Sequence, residues 1–119
     1  MFGKIHSQEF YFLGKTRDEE SVYGKIQEAS SYNNEVKVWV KFISEIKNIK
    51  SKSGKLIKIG GEQNFYLFNI KCSKHQYDKI GAIKYNSKGK VIDKMIYPDY
   101  NLDVIPETIM ETIYEFACE

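Results

Sequence analysis

The chain contains few of the residues that would define several common classes of protein. Alanine occurs three times and tryptophan once in 119 residues, with two prolines, two cysteines and two histidines. A chain so poor in alanine is not typical of a helical bundle. No apolar run approaches the roughly 20 residues of a transmembrane helix. No tract of low complexity and no internal repeat is present.

Aromatic residues, by contrast, are plentiful. The sequence has nine tyrosines and seven phenylalanines, and 42% of its residues are apolar. Aromatic and β-branched residues favour strands, and the apolar content is that of a globular protein. The length indicates one domain over residues 1–119, with residues 1–8 expected to form a flexible N-terminus. Met1–Glu9 lacks the apolar segment of a signal peptide; this fits both a mature exported domain and a cytosolic protein.

Charge is distributed unevenly, although the formal net charge is only +2. Residues 37–58 contain seven lysines and one glutamate, whereas residues 99–119 contain six acidic residues and no basic one. The molecule is therefore expected to be electrostatically polar, so that one end attracts anionic surfaces. The alternative is that the lysines cover a hairpin tip and prevent sheet edges from aggregating.

The clearest strand signal is the alternation in Glu35–Ile43, where valines alternate with Lys37, Trp39 and Lys41. Other strand-like runs are Glu9–Lys15, Ser21–Ile26, Asn64–Cys72, Tyr77–Tyr85 and Val91–Tyr97, and Leu56–Ile59 leads to a predicted bend at Gly60 and Gly61. Lys47–Lys55 is predicted to be a polar loop and Asp99–Ile105 an irregular segment.

The C-terminal segment changes to a helical period. Ile109, Ile113 and Phe116 form an apolar stripe, and Thr108 with Glu111 has the spacing of a capping box. The stripe needs a sheet face to pack against. The predicted fold is therefore α+β, an antiparallel sheet of about six strands with a C-terminal amphipathic helix on one face.

Two cysteines lie at structurally informative positions. Cys72 ends a strand-like run, and Cys118 ends the predicted helix. Free thiols at both positions are one interpretation. A bond between them would attach the helix to the sheet, would indicate a non-reducing compartment, and would stabilise the fold by roughly 4 kcal/mol through a loop of about 47 residues.

Four elements of the sequence resemble the surface-adhesin protein E family of bacterial envelope proteins. They are the runs VKVWVKF at 36–42, YLFNIKC at 66–72, AIKYNSKGKVI at 82–92 and IPETIMETIYEFAC at 105–118. The resemblance implies a single antiparallel sheet with the C-terminal helix across one face. It also implies a disulfide between Cys72 and Cys118 and an extracytoplasmic location, at the cell surface, in the periplasm or secreted. No binding position is transferred from it.

The sequence gives little indication of a catalytic or metal-binding site. His75 follows Cys72 by three residues, a spacing that occurs in zinc sites, but further ligands at comparable spacing are missing. The same two residues lack the third, orienting group of a thiol enzyme. We therefore expect no enzymatic activity, no metal, no cofactor and no small-molecule substrate.

The predicted role is binding, through Trp39 and the basic residues Lys47, Lys50, Lys52, Lys55 and Lys58. An aromatic side chain between lysines can stack a base or a sugar or anchor a protein; alternatively, Trp39 fills a second cluster with residues of neighbouring strands. The expected partners are acidic host or envelope proteins or anionic glycans, with contact to a membrane only through an upstream lipid anchor. The alternative function is a cytosolic nucleic-acid-binding domain using the same residues, against which the acidic C-terminus and modest net charge count.

Overall fold

The structure is a computed structural model that describes residues 9–30, 32–95 and 97–119. The expected flexible segment, residues 1–8, lies outside the described residues. The elements are β1 (Tyr11–Lys15), β2 (Ser21–Ser30), β3 (Glu35–Ile43), β4 (Lys47–Lys50), β5 (Leu56–Ile59), β6 (Gln63–Lys71), β7 (Gln76–Tyr85), β8 (Val91–Met95), β9 (Asp99–Asp103) and α1 (Ile109–Cys118).

Seven of the strands form one antiparallel sheet, in the order β1-β2-β3-β6-β7-β8, with β9 also paired to β7. The helix α1 packs against this sheet, so the predicted α+β fold is confirmed. The interpretation of Asp99–Ile105 as irregular was wrong for β9. This segment has no apolar alternation, and its strand forms by pairing with the first part of β7.

The core lies between α1 and the alternating valines of β3. Val38 and Val40 are fully buried, and their partners across to β6 are Phe68 and Tyr66. Because cross-strand partners share a face, the aromatic row of β6 packs on the same side as the valines. Ile113 of α1 is also fully buried against this layer.

A glycine in β2 makes room for the helix. A Cβ atom at Gly24 would lie 2.9 Å from Leu13 Cδ1 and 3.1 Å from Phe116 Cε2, so even alanine would force the Leu13 side chain to shift and would crowd the Phe116 ring. The helix begins after Thr108 as predicted, but the capping-box hydrogen bonds were wrongly predicted. The Thr108 hydroxyl donates to the carbonyl of Ile105, and the Glu111 carboxylate accepts from the backbone N–H of Glu107. No helix within the described residues is long and apolar enough to span a bilayer.

The hairpin between β3 and β6 continues as a separate two-stranded element, residues 47–59, here called the arm. Its strands β4 and β5 pair with each other and contact no other strand or helix of the described chain. Hydrogen bonds from Ser44 N–H to the Glu62 carbonyl and from Gly61 N–H to the Ser44 carbonyl close its base. The prediction that Lys47–Lys55 is a loop was therefore wrong for Lys47–Lys50, which form β4.

Candidate functional site

The two cysteines are joined. Cys118, the last residue of α1, forms a disulfide with Cys72, directly after β6, and their Cα atoms are 5.7 Å apart. The predicted bond is confirmed, and it attaches the helix end to the sheet. A disulfide is compatible with an extracytoplasmic location, because such bonds persist in oxidising compartments.

The disulfide also determines which of the chemical roles considered for Cys72 and His75 are available to them. Cys72 has no free thiol to act as a nucleophile or as a zinc ligand beside His75. The His75 ring instead lies 4.2 Å from the ring of Tyr114, whose hydroxyl donates to the Cys72 carbonyl. In the parts of the chain that the structure describes, no group of three histidine, cysteine or acidic side chains is arranged to hold a metal ion.

The arm gathers the candidate basic residues at one place. Lys47, Lys50 and Lys58 lie on its strands, and Lys52 and Lys55 in the turn between them; all five are exposed. Only Lys47 approaches a described carboxylate, that of Glu19, with the Nζ–Oε1 distance at 3.9 Å. The charges of the remaining four lysines are therefore not neutralised by ion pairs with described residues of the chain.

The arm is amphipathic, which the sequence analysis missed. Ile49 pairs with Ile57 and Lys47 with Ile59 on one face, whereas the other face carries Asn48 opposite Lys58 and Lys50 opposite Leu56. Ile49, Ile57 and Ile59 are 40%, 43% and 45% exposed. The run LIKI at 56–59 is apolar enough to indicate a strand, but KNIK at 47–50 has one apolar residue and does not alternate, so the sequence carries no signal for β4.

Trp39 is not part of the arm. It lies in the middle of β3, between Lys25 of β2 and Leu67 of β6, on the face of the sheet opposite Val38 and Val40. We call this side, which α1 does not cover, the open face. Trp39 is half-buried there and lines a shallow depression of about 240 Å³ together with Phe10, Lys25, Phe65, Ile83 and Tyr85. The structure thus separates Trp39 from the predicted basic residues and places it in a second cluster.

Away from this depression, two side chains of the sheet form a buried polar pair that no sequence signal indicated. Asn69 of β6 donates to Asp78 of β7 with an Nδ2–Oδ2 distance of 3.4 Å. Asp78 also accepts from the backbone N–H of Asn101 at 2.8 Å and pairs with Lys71 at 3.2 Å. Desolvation raises the pKa of the Asp78 carboxyl, but these hydrogen bonds and the Lys71 charge outweigh it and hold the pKa below its ordinary value. The network fixes β9 against β7.

Together, the fold and these surfaces define a disulfide-bonded α+β domain with a cationic amphipathic arm and an aromatic open face. Comparison with protein-family models, with curated proteins and with solved structures finds no match of any of the three kinds. The resemblance to the surface-adhesin protein E family therefore stays a prediction.

Proposed function

We propose that the protein is a non-enzymatic binding module of the bacterial envelope that works outside the cytoplasm and binds an acidic protein through the arm. One observation carries the proposal. The arm extends from the sheet with both strands exposed along their whole length, and no described strand or helix packs on it. Side chains that contribute nothing to the core are available for a partner.

Charge determines the class of partner. Four arm lysines have no ion pair among the described residues, so an acidic surface would supply the missing counter-charges. Exposed ion pairs contribute about 0.2–1 kcal/mol each, so several are needed for useful affinity. The arm presents them close together on a short hairpin.

The isoleucine face favours a protein over a glycan as the partner of the arm. Ile49, Ile57 and Ile59 form an apolar strip on the face of the arm that also carries Lys47, whereas Lys50 and Lys58 lie on the opposite face. Interfaces between proteins combine an apolar centre with a polar rim, whereas a sulfated or carboxylated sugar chain offers little apolar surface to such a strip. An anionic glycan, the other predicted partner, is the alternative outcome of the test.

The test compares the affinity of the protein for soluble acidic polymers of different chemical classes. The native, oxidised protein is titrated with polyglutamate, with a random copolymer of glutamate and tyrosine, with a sulfated glycosaminoglycan and with duplex DNA, all at the same salt concentration. We expect the copolymer to bind tightest, because it alone combines acidic groups with apolar rings. Glycosaminoglycan binding that is tighter than copolymer binding and is lost when the arm lysines are replaced would assign the arm to glycans, and tighter binding of DNA would support the nucleic-acid-binding alternative; either result would overturn the proposal.

Two sets of variants identify the surface responsible. In the arm set, glutamine replaces the four arm lysines that lack an ion pair with the described residues, namely Lys50, Lys52, Lys55 and Lys58. The matched control set makes the same change in net charge at exposed lysines elsewhere, namely Lys74, Lys88, Lys90 and Lys94. We expect the arm set to weaken copolymer binding at least about fivefold and the control set to change it less. Equal effects of the two sets would mean that only net charge matters and would refute the role of the arm.

A third variant tests the apolar strip. Replacing Ile49 and Ile57 by threonine keeps β-branched residues in the strands and all five lysines. We expect this variant to bind polyglutamate like the native protein but to lose the preference for the copolymer. A retained preference would show that the isoleucines take no part.

A further inference from the structure

The open face carries a second cationic and aromatic cluster, distinct from the arm. Its depression has a volume of about 240 Å³, and none of the described residues that line it is an aspartate or a glutamate. Drug-sized ligands occupy pockets of roughly 300–1,000 Å³, so this one is large enough for a single ring. Among the residues that the structure describes, nothing closes it on the solvent side, since α1 packs on the opposite face of the sheet.

Two lysines are held over the aromatic rings of this cluster. The Nζ atom of Lys41 lies 4.5 Å from the centre of the Phe10 ring and 5.9 Å from that of Phe65. The Nζ atom of Lys25 lies 5.2 Å from the centre of the Phe10 ring. These are cation–π distances. They restrict the ammonium groups without neutralising them, and neither lysine has an ion pair among the described residues.

The aromatic rings of this cluster also pack against one another. Phe65 packs edge-on against Phe10 and against Tyr85, with centroid distances of 6.1 Å and 5.3 Å. Gly81 lies opposite Leu67 in the register, and an added Cβ atom there would meet no atom of the described residues within 4 Å. The sheet surface next to the depression is therefore low and unobstructed.

We propose that the open face binds one uronic-acid unit of an acidic glycan, with its pyranose ring on Trp39 and its carboxylate between Lys25 and Lys41. The C–H groups on a pyranose face carry partial positive charge and suit the negative face of an indole ring. The carboxylate supplies the counter-charge that both lysines lack. A nucleotide, with base, sugar and phosphate, is larger than the depression. The proposal goes beyond the proposed function and does not depend on the arm.

Intrinsic fluorescence gives a selective measurement, because Trp39 is the only tryptophan in the chain. The native protein is titrated with methyl glucuronide, with the neutral methyl glucoside as a matched ring and with acetate as a matched anion. We expect a saturable fluorescence change with the glucuronide in the millimolar range typical of one small ring. The glucoside should bind at least several-fold more weakly, and acetate should give no saturable change.

Variants connect the signal to the two lysines. Replacing Lys25 and Lys41 by glutamine is expected to abolish the preference for glucuronide over glucoside. The same replacement of Lys84, on another part of the sheet surface, should leave it unchanged. Amide chemical shifts recorded with the same ligands report binding independently of the indole. A glucuronide response equal to that of the glucoside or of acetate would overturn the proposal, and so would a preference that survives in the double variant.

Discussion

Loss of the disulfide is expected to remove a large part of the stability of this domain. The bond links residues separated by 46 positions and thus closes a loop of about 47 residues in the unfolded chain. The chain-entropy relation gives a stabilisation of about 4 kcal/mol for such a loop. Small domains are stable by about 5–15 kcal/mol in total, so the variant in which Cys72 and Cys118 are both alanine should fold, but only marginally.

Urea denaturation at neutral pH measures the effect. We expect the double alanine variant to lose about 3–4 kcal/mol in the free energy of unfolding. The m-value should rise, because an unfolded chain without the cross-link exposes more surface. The native protein in reductant is the matched control. Its loss should equal that of the variant within about 1 kcal/mol, which separates the missing bond from the effect of alanine at the two positions.

A loss below about 1 kcal/mol in both the variant and the reduced protein would refute the reasoning. It would mean that the bond constrains the folded and unfolded states about equally, contrary to the loop argument. Other contacts hold α1 in either case, since Ile113 is fully buried and the Tyr114 hydroxyl donates to the Cys72 carbonyl. The far-ultraviolet circular dichroism of the folded variant should therefore stay close to that of the native protein.

Two further predictions concern single residues of the sheet and of the arm base. The pKa of Asp78 is lowered in the folded state. The ionised carboxylate therefore stabilises the fold at pH values above 3.8, the pKa of the unfolded state, and this stabilisation is lost as the pH falls further. Asp78→Asn should therefore lower the free energy of unfolding by about 2 kcal/mol at pH 6, and its difference from the native protein should shrink towards pH 2. Replacement of the exposed Asp93 by asparagine is the control. A difference that does not change with pH would contradict the argument. Gly60 has φ +93°, and an added Cβ atom would lie 1.9 Å from the Glu45 carbonyl oxygen, whereas Gly89 has φ +85° and open space. Gly60→Ala should thus destabilise the protein by at least about 1 kcal/mol more than Gly89→Ala in thermal or urea unfolding, and equal losses would show that the clash is relieved without cost.

Periodicity predicted the centre of the fold well. The alternation in Glu35–Ile43 gave the bounds of β3, and the stripe of Ile109 and Ile113 gave the helix and its buried face. These segments bury one face each, so burial selects the same residues that the pattern shows. The sequence left the state of Cys72 and Cys118 open until the resemblance was considered, and the structure joins them.

The rest depends on which strands become neighbours, and a local pattern does not contain that information. The strand β9 has no apolar alternation, and its partners in β7 lie 20 or more positions away, as does Asp78, which accepts from the Asn101 N–H. The lysines of the arm were recognised as a group, but Lys47–Lys55 was taken for a loop and Leu56–Ile59 was not paired with it, so the isoleucine strip was missed. Trp39 was predicted to bind because it alternates with Lys37 and Lys41, and the structure places it with Phe65 and Tyr85 on the open face.

The lysines of the open face also have a simpler explanation, which experiment can separate from binding. An exposed layer of aromatic rings promotes association, and ammonium groups above Phe10 and Phe65 would keep such a layer soluble. Replacing Lys25 and Lys41 by glutamate keeps both positions charged but reverses the sign. If solubility were the only role of the two lysines, this variant would stay monomeric and would show no difference in binding between the glucuronide and the glucoside. If they hold a carboxylate, the same variant stays monomeric but now binds the glucuronide more weakly than the glucoside. The sign of that preference, read from the fluorescence of Trp39, therefore distinguishes a protective surface from a binding site.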